Sequence, residues 1–354
     1  MPLVILLSLV CGCLRTVCQL QRNPSMQQTD TSQDRSSQLL VHPEIDFAAA
    51  VQAAPTMERG EISAAVRVAN LVAVILPLAA TVLGIASLWG RGFTWVDLAL
   101  LSGMYVATVL GITVGFHRLF THRSFETNGA VAFVFGVLGS MAVQGRLFHW
   151  VALHRRHHQH SDELGDPHSP HLAGEGGWGI LRGMWHAHVG WIFKPHSPEV
   201  PRYVKDLQQS TSLRVVDKLF FFWVALGLAI PAIVGGLISG TWPGAFWGFI
   251  WGGLVRVLLV HHVTWSVNSV CHLWGRRSYQ SRDESRDNLL FGVLAFGEGW
   301  HNTHHAFPTS VRHGLRWWQI DLSYYVVRAL SWLRLAWNLK LPSRQLQIAR
   351  RRPS

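Results

Sequence analysis

Four apolar stretches, each near the ~20 residues that a helix needs to cross a bilayer, limit what this chain can become. They run Ala64–Trp89, Trp95–Phe116, Leu219–Ser239 and Trp242–Val260. Backbone placed in hydrocarbon must satisfy its own hydrogen bonds, and runs of this length do so as helices. Only Gly90–Thr94 separates the first two, and only Gly240 and Thr241 the last two, so each pair reads as a tight helical hairpin. Of the 31 Lys and Arg, those turns hold one, Arg91. The others lie in the N-terminal tail, the central segment from His117 and the C-terminal region, with Arg67 and Arg256 inside apolar stretches. The positive-inside rule then puts both termini and the central segment on the cytoplasmic side of a multi-pass membrane protein, at the inner membrane in a bacterium. Charged residues are only 14% and hydrophobic ones 49%, which agrees. A net charge of +11 often signals nucleic acid, but the loop bias accounts for it here, and no nucleic-acid partner is expected.

Shorter features complete the outline. Ala130–Val143 is too short to span and is expected to lie at the interface or pack within the protein. Trp317–Trp337 mixes Trp, Tyr and Leu with Asp321, Arg328 and Arg334, and reads as an amphipathic helix on the membrane surface. Residues 1–60 form a tail whose Gln/Ser/Asp-rich part, 19–60, is expected to be disordered. Val4–Val10 resembles a signal-peptide core without a basic start or a clear cleavage site, so residues 1–25 read either as an upstream start site or as a short anchor. Residues 61–342 are the expected catalytic domain and 343–354 a basic C-terminal tail. Three of the four cysteines crowd at Cys11, Cys13 and Cys18, which is no disulfide framework, and Cys271 reads as a packed small residue.

Twenty histidines are the anomaly. His117-Arg-Leu-Phe-Thr-His122 follows the second stretch, His154-Arg-Arg-His157-His158 lies in the central segment, and His301-Asn-Thr-His304-His305 follows the fourth. Spacings of i, i+3 and i+4 put the three imidazoles of each HxxHH on one helical face. The i, i+5 spacing of the first box shares a face less well, so one of its two members should sit at or past a helix end. A lone HxxxxH arises by chance, but three boxes on one side of the membrane beside membrane segments read together as a metal site. Zinc sites close with four ligands and often use thiolates; eight histidines without a thiolate pair argue for two ions with room for O2. Imidazole suits Fe, Cu and Zn alike, and two irons can share the electrons that O2 activation needs. Asn268 and His272, four apart, project together at the end of the fourth stretch. His272 is a ninth expected ligand, and Asn268 is expected to hold an iron-bound water.

These boxes resemble those of the membrane fatty-acid desaturases, the stearoyl-type Δ9 group in particular. Gly297-Glu-Gly-Trp-His-Asn-Thr-His-His-Ala-Phe-Pro308 resembles that group's third-box signature, and Thr264-Trp-Ser-Val-Asn268 with His272 its extra-ligand region. Asp166-Pro-His-Ser-Pro170 and His188-Val-Gly-Trp191 match as well, and the similarity runs from Ala64 to Pro342. The resemblance implies an all-α integral membrane fold of four transmembrane helices under a cytoplasmic helical cap, and a diiron centre held by His117, His122, His154, His157, His158, His272, His301, His304 and His305. It implies a kinked acyl tunnel lined at its bend by Gln144, Trp150, Thr264 and Trp265, and an O2-dependent cis desaturation, Δ9 in position. Animal members carry an Arg-Asp pair before the second box; Ala152 and Leu153 stand here, and Gly145 follows Gln144 where those enzymes have Asn. The pattern is closer to bacterial and cyanobacterial members, so a long-chain acyl-CoA, acyl-lipid or acyl-carrier substrate is open. No cytochrome b5 domain follows His305, so a separate donor is expected, such as ferredoxin or cytochrome b5 with its reductase. Arg256 reads as snorkelling or as a structural contact. A histidine-box hydroxylase or monooxygenase is the nearest rival, and a membrane metal transporter a more distant one.

Overall fold

The computed structural model describes residues 62–194 and 200–352. The expectations for the N-terminal tail fall outside the described residues. The fold is mostly helical, with four helices long and apolar enough to cross a membrane: α1 (Ala64–Ser87), α2 (Trp95–Thr121), and two later ones, α7 (Phe220–Ser239) and α8 (Trp242–His272). Between α2 and α7 lie α3 (Gly129–Ser140), α4 (Leu147–His160), α5 (Gly176–His188) and α6 (Thr211–Lys218). After α8 come α9 (Leu289–Leu294), α10 (His301–Ala306) and α11 (Leu322–Trp332). The two-residue strands β1 (Glu126–Thr127) and β2 (Ala336–Trp337) pair antiparallel, Glu126 opposite Trp337.

Two apolar helices run further than hydropathy alone indicates. α2 continues through Thr121 and α8 through His272, carrying histidines out of the apolar region on rigid backbone. Each has a π-helical stretch, Gly111–Thr121 and Phe249–Val255, a wider turn often found at functional sites. Small residues set the packing. Gly244, Gly248 and Gly252 recur every four residues on α8, and a Cβ on any of them would run into Ser239 and Gly235, or into Pro231 of α7. Close helix approach through such a stripe is a membrane-protein device. α1 packs on α8 as well, Gly84 against the Trp251 ring, beside a core of Ala80, Ile250, Leu254 and Val255. The turn before α2 is fixed by a capping box between Thr94 and Asp97, by an Arg91–Asp97 ion pair at 2.8 Å and by Arg91 over the Trp247 ring.

The short run at Ala130–Val143 becomes α3, packed on the π-helical stretch with Gly111 against Gly139. The C-terminal amphipathic pattern forms a shorter helix than expected. Asp321 caps α11, accepting from Tyr324 N at 3.0 Å, and it is fully buried rather than on a water face. Its other oxygen accepts from His313 N at 2.6 Å, and Arg118 pairs with the first, Oδ1, at 3.0 Å. Beyond Trp332 the chain turns into β2. Arg256 does not snorkel. It is fully buried and donates to the carbonyls of Met141 (2.7 Å), Gly227 (3.0 Å) and Gly252 (3.3 Å), joining α3, α7 and α8. Cys271 is buried as well.

Candidate metal centre

The three boxes and His272 converge from α2, α4, α8 and α10. His122 stands at the C-terminal cap of α2, past the helix end as its spacing requires. Two groups form, each with its nitrogens within 4.8 Å of one another: His117, His122, His154, His158 and His304, and then His157, His272, His301 and His305. Each HxxHH box is divided between them. His154 and His158, one turn apart on α4, enter the first group and His157 the second; on α10, His304 enters the first while His301 and His305 enter the second. The shared helical face lies between the two groups.

Four buried carboxylates stand behind these rings. His157 Nδ1 donates to Asp166 at 3.0 Å, His272 Nδ1 to Asp162 at 2.9 Å and His305 Nδ1 to Asp283 at 2.5 Å. His117 Nδ1 lies 2.6 Å from Glu298 Oε2, close but without the alignment of a hydrogen bond. Burial pushes these carboxyls up, but charge and hydrogen bonds reverse it. Asp166 is held far below the usual range by His157 and His168, Asp283 by His305 and Ser285, Asp162 by His272 and Ser169, and Glu298 by Arg118 and His117. Burial, followed by neighbouring imidazoles, holds His122, His154, His158, His301 and His304 well below the ordinary histidine value. Those five rings are therefore neutral.

This arrangement fits a cation. A carboxylate only accepts, so it fixes the proton of its partner histidine on Nδ1 and leaves Nε2 bare. Nε2 of His157 and of His305 are buried with no hydrogen-bond partner, and so is that of His122. His304 Nε2 is 3.1 Å from His117 Nε2 and 2.9 Å from His158 Nε2, although a neutral ring has at most one proton to share there. Lone pairs directed into one small space repel unless a cation lies among them. The carboxylates, with Arg118, His313 and Asp321 behind Glu298, are residues that the spacing argument missed. Their signal was present, since Asp166 and Glu298 fall inside the quoted motifs, but nothing in the spacing ties Asp162 to His272.

A cavity of about 710 Å³ reaches the centre and is lined there by His117, His154, His301 and Glu298. Gln144, Trp150, Thr264, Trp265 and Asn268 also line it. Gln144 Nε2 donates to Thr264 Oγ1 at 2.6 Å, and Trp150 Nε1 approaches Gln144 Oε1 at 3.4 Å. The wall is otherwise largely apolar, from Ile112 and Phe148 to Val66 and Val74 of α1.

Comparison with known proteins agrees with this geometry. A profile of the fatty acid desaturase family matches residues 93–336. The chain belongs to that family. It is thus an oxidoreductase acting on fatty acyl chains, in a family whose chemistry depends on iron. Over 274 residues it is 42% identical to a hex-5-enoyl-(acyl-carrier protein) acetylenase of Moorena producens, covering 77% of this chain and 85% of that one. It is 40% identical to an sn-1 stearoyl-lipid 9-desaturase of Synechocystis over 71% of this chain and 74% of that one. An acyl-CoA C20 Delta5-desaturase of Anemone leveillei is 38% identical, with 71% and 76% covered. The three relatives are named for three different acyl carriers, so kinship alone does not choose among them.

Proposed function

We propose that this desaturase holds two irons, one among His117, His122, His154, His158 and His304, the other among His157, His272, His301 and His305. Asn268, on the cavity wall, would hold an iron-bound water. The observation that supports this most is the convergence of bare Nε2 atoms at the end of an apolar cavity. When bound, the irons supply reductive activation of O2 and removal of two hydrogens from the acyl chain. The balance is one O2, two electrons and two protons from outside, with two hydrogens from adjacent methylenes, giving two waters and one double bond.

This chain's residues do the rest. Asp166, Asp162 and Asp283 keep Nδ1 of His157, His272 and His305 protonated and those rings aimed, while burial keeps the rings without a carboxylate neutral. The Gln144–Thr264 bond and the Trp150 indole shape the cavity beside the centre, and that shape selects which methylenes react, because successive methylenes are chemically almost alike. A cis bond at Δ9 in a long acyl chain is the product we assign, with the electrons delivered by a separate protein. We also propose that residues 61–342 are the catalytic domain, spanning the membrane as two hairpins with the histidines in a cap on the cytoplasmic side, where the Lys and Arg lie. The acetylenase among the relatives favours one second reading, dehydrogenation of an existing double bond to a triple bond at the same site.

Expression in a host lacking its own desaturase tests this, with mass spectrometry of derivatised fatty acids. A new cis monoene is expected. An alkyne product would establish the second reading, a hydroxylated chain would overturn desaturation, and one iron per chain would overturn the paired centre.

A further inference from the structure

We infer that the arginine-rich surface over the second histidine group is the docking site for an acidic one-electron carrier protein. The inference rests on the proposed iron centre. Both groups are buried, so the two electrons consumed per double bond must cross protein, and transfer is fastest where the cover is thinnest. A short bonded path ends at His305. Its Nδ1 donates to Asp283 Oδ2 at 2.5 Å, and the Asp283 carbonyl accepts from the Arg277 guanidinium. Arg277 is partly exposed at the surface.

Two segments far apart in sequence build that surface. Arg276 and Arg282 are exposed on the loop that follows α8, with Arg286 half-buried beside them. Arg350 and Arg351 arrive from the C-terminal end of the chain, which is bonded along the same loop: Gln280 N donates to Arg350 O at 2.7 Å and Arg352 N to Ser278 O at 3.1 Å. Arg350 also donates to Ala306 O at 2.5 Å, at the end of the helix that carries the third box. The carboxylates nearby do not cancel this charge. Glu284 pairs with Arg277 and Arg286, Asp283 is buried against His305, and Asp287 is buried on Ser278 and Thr303. The bonded path to His305 favours an electron carrier over anionic lipid headgroups, which would use the charge alone.

Each turnover takes two docking events, because each carrier gives up one electron and is itself oxidised. Complementary charge raises encounter rates and is screened by salt. The test uses the iron-loaded enzyme in neutral detergent with a reduced acidic [2Fe–2S] ferredoxin. It is run on wild type and on the triple variant Arg276→Glu, Arg282→Glu, Arg351→Glu, which spares Arg277 and its bond to Asp283. The wild-type KM for ferredoxin should rise steeply with salt, and the variant's should be raised about tenfold and be nearly flat. Turnover driven by dithionite through a small viologen should be equal in both.

An unchanged KM in the variant, or a wild-type KM indifferent to salt, would overturn the docking site. The salt arm needs no variant, so a misfolded variant leaves the test intact. A defect that appears only in anionic vesicles would make the patch a lipid surface and also sink the inference. Loss of viologen-driven turnover in wild type would instead strike the iron centre itself.

Discussion

The Trp150 indole stacks on the His154 imidazole, with ring centroids 5.1 Å apart and planes 18° from parallel. One side chain thus forms cavity wall on one edge and supports a member of the first histidine group on its face. On the proposed assignment, this contact joins regiochemistry to ligand placement. Trp150→Ala should broaden the double-bond position and lower turnover, while His154 stays held by its four neighbours and iron stays bound. Removing a partly buried Trp should cost about 3 kcal/mol, the low end for such truncations. Product ratios by mass spectrometry and iron content on the same sample check it. A folded, active variant with an unchanged product would remove Trp150 from the bend.

Asp283→Asn should weaken iron binding by about 10–100-fold, the usual effect of losing a carboxylate behind a ligating histidine. The amide can present its NH2 to Nδ1 and turn the ring tautomer, so Nε2 no longer arrives bare. Asp283→Glu should recover part of the loss. Competition with a graded chelator reads the affinity directly.

Acid should strip the centre and unfold the protein together. His122, His154 and His158 are held below the ordinary histidine value, so they stay neutral when folded and take up protons only on unfolding. The unfolded chain therefore binds more protons as pH falls below about 6.5, and stability declines from there downward. The depressed carboxylates Asp162, Asp166 and Asp283 add a further loss below about 4, where their unfolded forms protonate. Iron content and melting temperature should fall together from about pH 7 to pH 5, since ligation also requires unprotonated imidazole. A flat profile over that range would contradict the burial of these rings.

Much of the centre was legible before any coordinates. All nine expected histidines come together, because a metal site repeats one residue type at helical spacing beside membrane segments. Their sorting into two groups was not legible. The i, i+3 and i+4 rule puts His154, His157 and His158 on one face but cannot say that the face straddles two sites. The carboxylates were hidden by sequence distance, since Asp162 meets His272 across 110 residues and Asp283 meets His305 across 22. Hydropathy also misjudged Asp321. A lone carboxylate in an amphipathic pattern reads as water-facing, and only the tertiary fold brings Arg118 to it.

Arg256→Met should destabilise without touching the chemistry. The thioether fills similar space but leaves the carbonyls of Met141, Gly227 and Gly252 without their donor. Each unmet buried carbonyl costs about 1–3 kcal/mol, so several kcal/mol are at stake. Thermal unfolding in detergent should show a markedly lower midpoint, with the double-bond position unchanged in whatever remains folded. A variant as stable as wild type would show that water or lipid reaches those carbonyls.

His304 and His305 are adjacent in sequence yet belong to different groups, and this makes a sharp test of the divided boxes. His304→Ala should release metal from the set containing His117 and His158, and His305→Ala from the set containing His157 and His272. Each should abolish desaturation, because the proposed centre shares the electrons for O2 between both ions. Mössbauer spectra of iron-57 protein should lose a different component in each variant, and the double variant should lose both. If both single variants deplete the same component, the two groups are one site and the assignment of five and four ligands is wrong.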